Sequence, residues 1–135
     1  MNWEYVSGFF DADGYVTFVR NKSNQERTPC IGFTNNEKYI LQQIQSFIYS
    51  ELGIKGFISG KKEPHKSINT NYDLKYMYLP KILLLIRKIH TKHKKKLHRF
   101  FLINTKLQLL TPRNGKYSEK MLLKRQQFEK EFFGN

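Results

Sequence analysis

Two aspartates and a glycine close a short, mostly apolar segment near the N-terminus, which reads Tyr-Val-Ser-Gly-Phe-Phe-Asp-Ala-Asp-Gly over residues 5–14. The apolar residues of this segment recur at helical spacing, which predicts a buried helix. We expect Gly14 to end this helix in the left-handed conformation, leaving the carbonyl of Ala12 without an intrahelical partner. The carboxylate of Asp13 beside that carbonyl would form an oxygen-only site, which suits Mg²⁺ or Ca²⁺ rather than Zn²⁺.

Small residues form a second feature of the same helix. Gly8 and Ala12 are four positions apart and are therefore stacked on one face, and Ser7 is a third small residue beside them. A face of this kind allows another backbone to approach closely.

Residues 6–14 resemble the nine-residue LAGLIDADG motif of homing endonucleases. Five positions are identical to the motif: Gly8, Asp11, Ala12, Asp13 and Gly14. The other four positions carry conservative changes. The Asp-x-Asp-Gly sequence also occurs in turns and at the start of calcium loops, but Lys22 stands where an EF-hand needs its closing glutamate.

The resemblance implies an α+β fold with the order αββαββα, a saddle-like antiparallel sheet and C-terminal helices. From its length we expect a single domain over residues 1–135. The resemblance also implies a metal-dependent homing endonuclease that cuts both strands of a long DNA site, often to mobilise an intron or intein. Because the chain holds one motif, we predict a homodimer with a pseudo-palindromic target. The predicted dimer interface comprises Ser7, Gly8, Asp11 and Ala12.

Site residues follow from the same resemblance. Asp13 is expected to bind Mg²⁺ directly, assisted by the Ala12 carbonyl; we expect Mn²⁺ to substitute, and Ca²⁺ to bind without supporting cleavage. The family places a polar residue after the first hairpin, for which Asn35 is the candidate, and a lysine near the later basic helix, for which Lys92 and Lys94 are alternatives. An amide is not a general base at neutral pH, so Asn35 would position water.

The composition predicts the class of partner without reference to the motif. The chain has 24 Lys and Arg against 11 Asp and Glu, a net charge of +13, and its 15% of aromatic residues can form a core. A folded domain with this charge most often binds nucleic acid. The one cysteine, the lack of a signal peptide and the lack of a membrane-length apolar run predict an intracellular protein, and the charge and the resemblance predict that it associates with DNA.

Two β-hairpins are predicted from period-two alternation, the first with strands 15–22 and 26–34, the second with strands 54–59 and 72–79. Alternation assigns Tyr72, Leu74, Tyr76 and Tyr78 to the core. The opposite face could be an ordinary solvated surface, but after the motif we expect it to contact double-stranded DNA. The predicted DNA contacts are Tyr15, Thr17, Val19, Asn21, Thr28, Cys30, Gly32, Thr34, Ser59, Asp73 and Lys75, with Lys61, Lys62 and Lys66 in a basic loop.

The remaining segments are predicted to be helices. Asn35 or Asn36 would cap a helix that Gly53 ends, and Thr91, within the basic stretch 87–99, would cap the helix that follows it. A last helix is expected from Ser118 to Phe133. The seven lysines and arginines of the basic stretch predict a phosphate-facing surface.

A different class of function would keep the same basic faces. A LAGLIDADG fold without cleavage activity serves as an intron RNA maturase or as a transcription regulator, and a generic RNA-binding protein would share the charge. A carboxylate that points at phosphate is unfavourable for a pure binder, so the intact motif favours the endonuclease.

Overall fold

The computed structural model describes residues 1–20, 27–62, 69–110 and 118–134. The helices and strands of these residues follow one another as α1 (Trp3–Asp13), β1 (Gly14–Arg20), β2 (Arg27–Asn35), α2 (Lys38–Leu52), β3 (Phe57–Lys62), β4 (Asn69–Met77), α3 (Leu79–Lys88), α4 (Lys94–Thr105), a 3₁₀ turn (Leu107–Leu110) and α5 (Glu119–Phe133). The predicted αββαββα order with C-terminal helices is confirmed. Within these ranges, no helix has the length and apolar character needed to span a membrane.

The chain forms two compact units, Met1–Lys92 and His93–Asn135. The first unit contains the sheet with α1, α2 and α3. The second contains α4 and α5, where the guanidinium of Arg99 lies 4.7 Å from the ring centroid of Phe132 and its Nε donates to the Phe132 carbonyl at 3.3 Å. The prediction of one LAGLIDADG domain over the whole chain stays a prediction.

The four strands form one antiparallel sheet in the order β1-β2-β4-β3. Val16 lies opposite Ile31, and Ile31 lies opposite Tyr76, so that these side chains share one face. All three are at most 1% exposed. The buried residues of α1, α2 and α3 complete this core, as in the edge-to-face contact between Phe10 and Phe33, whose ring centroids are 5.8 Å apart. The period-two pattern therefore predicted the core face correctly for these residues.

Gly14 differs from the prediction. Its φ of −94° and ψ of 164° are extended rather than left-handed. A Cβ at this position would lie 2.6 Å from the carbonyl oxygen of Phe10. The motif glycine is therefore needed for space, because the chain passes directly from α1 into β1 against the last helical turn.

Helix and strand ends account for the other corrections. Glu37, not Asn35 or Asn36, occupies the N-cap of α2, and Gly53 ends that helix with φ 69° as predicted. His93, not Thr91, caps α4 and accepts from the Lys96 amide. Tyr78 is 63% exposed rather than in the core, because β4 ends at Met77 and the chain turns there into α3.

Candidate active site and front face of the sheet

Asp13 and Asn35 meet where α1 and β2 end. Asp13 is the last residue of α1, and its side chain is exposed. Asn35 is the last residue of β2, and its Nδ2 donates to Oδ2 of Asp13 at 3.2 Å. The Oδ1 of Asn35 accepts from the Glu37 amide at 2.9 Å, which fixes the orientation of the side-chain amide. The structure thus brings together two of the predicted site residues, 22 positions apart in sequence.

The second motif carboxylate, Asp11, is used inside the protomer. Its Oδ1 accepts a hydrogen bond from the Thr91 hydroxyl, and its two oxygens accept from the Lys92 amide at 3.3 and 3.0 Å. One turn earlier on α1, the Ser7 Oγ accepts from the His90 amide at 2.9 Å. These bonds bind the segment 90–92 to α1 close to Asp13.

This attachment fixes the backbone of one of the two candidate lysines. The Lys92 backbone amide donates to Asp11, which lies two residues before Asp13 on α1. The Lys92 side chain is exposed. Lys94 is the first residue of α4, in the second unit. Sequence reasoning missed the attachment, although Ser7 and Asp11 are four positions apart and hence on one helix face.

The predicted dimer interface stays a prediction, and its four residues differ in what they contact within the chain. Ser7 is 8% exposed, and both Ser7 and Asp11 hydrogen-bond within the chain. Gly8 and Ala12 are exposed, and a Cβ added to Gly8 would have no heavy atom within 4 Å. An exposed helical glycine lowers helix stability by about 1 kcal/mol relative to alanine. Gly8 and Ala12 therefore remain the candidates for close helix packing.

We expect Asp11→Ala to lower the free energy of unfolding by about 3 kcal/mol or more, because the Thr91 hydroxyl and the Lys92 amide both donate to this carboxylate and hydrogen bonds to a charged acceptor contribute roughly 1.5–3 kcal/mol each. Urea unfolding of the variant and of the wild-type protein measures this difference. The control is Glu4→Ala, which removes an exposed carboxylate from the same helix and should cost less than about 1 kcal/mol. An Asp11 variant as stable as wild type would contradict the assignment.

A metal at this site would rely on few protein ligands. Among the residues described, no three His, Cys, Asp or Glu side chains cluster in a way that could hold an ion. Asp13 offers an exposed carboxylate, and α1 ends beside it, where carbonyls such as that of Ala12 lack an i+4 amide within the helix. Mg²⁺ commonly binds to one or two carboxylates together with water and substrate phosphates. The donor set fits such an ion.

The side of the sheet opposite the core, here called the front face, holds most of the predicted DNA contacts. It is lined by Tyr15, Thr17 and Val19 of β1, Thr28, Cys30, Gly32 and Thr34 of β2, Asp73, Lys75 and Met77 of β4, and Phe57 and Ser59 of β3. The Tyr15 side chain crosses this face. Its ring covers Gly32, and its hydroxyl donates to Oδ1 of Asp73 at 3.2 Å.

Three predicted DNA contacts are therefore not available at the surface. Gly32 is buried, and Cys30 and Asp73 are 0% and 5% exposed. Burial raises the pKa of the Cys30 thiol to about 11. Burial also raises the pKa of Tyr15, with further contributions from Cys30 and Asp73, so that its hydroxyl stays protonated and can donate to Asp73.

The other predicted contacts divide by what the structure describes. Six lie on the front face with exposed or partly exposed side chains: Thr17, Val19, Thr28, Thr34, Ser59 and Lys75. Tyr15 is also partly exposed there. Lys61 and Lys62 belong to β3 rather than to a loop, and Asn21 and Lys66 lie outside the described residues. Phe57 and Met77, which sequence reasoning missed, are exposed on the same face.

Solved structures with this fold are known. The homing endonuclease I-TnaI gives a TM-score of 0.67 at 20% identity, over 100% of this chain and 90% of that chain. The archaeal intron-encoded homing endonuclease I-Vdi141I, complexed with DNA, gives 0.64 at 17% identity, over 98% and 82%. The LAGLIDADG meganuclease I-AabMI, bound to uncleaved DNA, gives 0.65 at 17% identity, over 96% of this chain and 44% of that chain. These likenesses establish the fold.

Sequence comparison identifies the family. No curated protein gives a significant match. The family described as LAGLIDADG-like domain matches residues 2–106, which include the motif, all four strands and the basic stretch. The predicted resemblance is thereby confirmed, and the chain belongs to the LAGLIDADG-like domain family.

Proposed function

We propose that this protein is a site-specific homing endonuclease that acts as a homodimer and makes metal-dependent double-strand breaks in a long, pseudo-palindromic DNA site. The observation that carries the proposal is the exposed Asp13 carboxylate, which Asn35 orients at the junction of α1 and the sheet. Asp11, two residues away, is hydrogen-bonded within the chain, so the two motif carboxylates have different roles.

The residues of the site have separate tasks in this proposal. Asp13 and the Ala12 carbonyl hold the divalent ion. When bound, Mg²⁺ supplies activation of water and stabilisation of negative charge on the phosphoryl and leaving oxygens. Asn35 orients the Asp13 carboxylate and positions solvent. Lys92, whose backbone Asp11 fixes, provides an ammonium group for the scissile phosphate, and Lys94 is the alternative.

A homodimer would supply the second motif. One protomer contributes one motif, and Gly8 and Ala12 leave the outer face of α1 open to a second helix. Twofold packing on this face would bring two Asp13 carboxylates together and would give each DNA strand its own metal-binding carboxylate. An isologous dimer of this kind favours a pseudo-palindromic target.

Charge and metal use support the same substrate class. The net charge of +13 favours association with a polyanion, and the front face presents hydroxyl groups and Lys75 that can contact base edges. Another protein of this fold, the homing endonuclease I-CvuI, was crystallised in complex with its target in the presence of 2 mM Ca. We propose Mg²⁺ as the working ion, with Mn²⁺ as a substitute and Ca²⁺ as a non-supporting ligand.

A cleavage selection tests the proposal. The protein is incubated with a randomised or genomic duplex library in Mg²⁺, with parallel reactions in Ca²⁺ and with the Asp13→Asn variant, and the DNA ends are sequenced. We expect discrete double-strand breaks at a pseudo-palindromic site, with Mg²⁺ and intact Asp13 only. Specific binding without breaks would instead assign the chain to the non-cleaving regulators or maturases.

A further inference from the structure

The front face carries an exposed apolar pair that the proposed chemistry does not use. Phe57 is 73% exposed and Met77 is 36% exposed. Phe57 lies opposite Lys75, and Met77 follows two residues later on β4, so the two side chains are diagonal neighbours on one face. Ile58, next to Phe57, pairs with the fully buried Leu74 on the core face, which places Phe57 firmly on the front face.

The surroundings of the pair are cationic. The ammonium of Lys81 lies 6.0 Å from the ring centroid of Phe57 and donates to the Lys55 carbonyl at 3.2 Å. Lys75 lies directly opposite Phe57 and two residues before Met77 on β4. Exposed apolar side chains within a polar, basic rim are typical of a binding site. The basic rim favours a polyanion as the ligand. The apolar pair then requires an apolar group on that ligand.

Duplex DNA has one such group in the groove that admits a β-ribbon. The major groove of B-DNA displays hydrogen-bond donors and acceptors and, at each thymine, the C5-methyl group. We infer that Phe57, supported by Met77, is a specificity-determining residue that contacts a thymine methyl group in each half-site. The inference rests on the proposed function, because it requires the front face to lie in the major groove of DNA.

The inference has a consequence that separates DNA from RNA. Uracil lacks the C5-methyl group, so a site read through this contact favours thymine over uracil with unchanged base pairing. Burying one methyl-sized group corresponds to about fourfold in affinity. Two symmetric half-sites would give about sixteenfold when both thymines are replaced.

The experiment combines a protein variant with a single-methyl change in the DNA. Binding sites are selected from a random duplex library in Ca²⁺ for wild type and for Phe57→Ala. We expect wild type to enrich thymine at one symmetric pair of positions and the variant to lose this preference alone. Affinities are then measured for the wild-type site with each thymine replaced by deoxyuridine. Replacement at that pair should weaken wild-type binding, and it should not weaken binding by Phe57→Ala further.

Two further variants keep the result interpretable. Phe57→Leu retains an apolar contact and should retain part of the methyl effect. Tyr39→Ala removes an aromatic ring that is 65% exposed on α2, on the core side of the sheet, and should behave as wild type. Both Phe57 and Tyr39 are exposed, so we expect all three variants to fold.

The possible failures can be distinguished. Absence of sequence-specific DNA binding by wild type would overturn the proposed function, and this inference with it. Specific wild-type binding with no deoxyuridine effect, or with the same effect in Phe57→Ala, would overturn only the inference. A uniform loss of affinity in Phe57→Ala without a change in base preference would also overturn it.

Discussion

Replacing Asp13 with asparagine is expected to lower the rate of DNA cleavage by about 10³-fold or more, while affinity for the target changes by less than about tenfold. The carboxylate is exposed at the end of α1, and it is the proposed direct ligand of the divalent ion. Asparagine has nearly the same shape and can remain near Asn35, so the fold should persist. Removal of a negative charge beside phosphate should leave binding intact or strengthen it.

Single-turnover cleavage in Mg²⁺ and binding in Ca²⁺ measure the two effects separately. Glu119→Gln is the matched control, since it makes the same chemical change at an exposed carboxylate in the first turn of α5. This control should cleave at the wild-type rate. Equal cleavage by Asp13→Asn would refute the assignment of Asp13. Loss of binding in step with cleavage would show that Asp13 acts in DNA recognition or folding instead.

Replacing Gly8 with phenylalanine is expected to convert the proposed dimer into a folded monomer that has lost double-strand cleavage by about 100-fold or more. No heavy atom lies within 4 Å of a Cβ at Gly8, so the protomer has room for the ring. Phenylalanine is also the better helix former, and the free energy of unfolding should change by less than about 1 kcal/mol. A second helix packed closely on this face has no room for the ring.

Molecular mass in solution and in the DNA complex provides the main measurement, together with thermal unfolding. Ser50→Phe introduces the same side chain at an exposed position of α2 and should leave both mass and cleavage unchanged. A wild-type protein that binds and cuts DNA as a monomer would contradict the homodimer proposal. A Gly8→Phe variant that remains a dimer would place the interface on another surface.

The sequence predicted those parts of the site that depend on short-range patterns. Asp13 at a helix end and Asn35 at the end of the first hairpin follow from the motif and from strand periodicity, and their side chains meet at 3.2 Å. The attachment of the Lys92 backbone was not accessible. It depends on hydrogen bonds to Asp11 across about 80 residues of chain, and no local pattern encodes them; the choice between Lys92 and Lys94 stays a prediction.

The front face shows the same limit. Alternation assigned Cys30, Gly32 and Asp73 to the correct side of the sheet, but a side chain on the correct side is not necessarily exposed. The Tyr15 ring lies over Gly32, and its hydroxyl reaches Asp73 on β4, 58 positions away in sequence. Only the order β1-β2-β4-β3 brings these strands together, so the burial of this cluster follows from sheet topology.

By itself, the sequence determined the family motif, the order of helices and strands, the core face of the sheet and the basic character of this protein. Each of these depends on residue type and short-range spacing, which side-chain periodicity and composition control directly. The tertiary structure alone decided that Ser7 and Asp11 bind the segment 90–92 and that Phe57 is exposed beside Met77. Those features depend on which distant backbone fills the space next to each side chain, and packing sets this only once the sheet and helices have assembled.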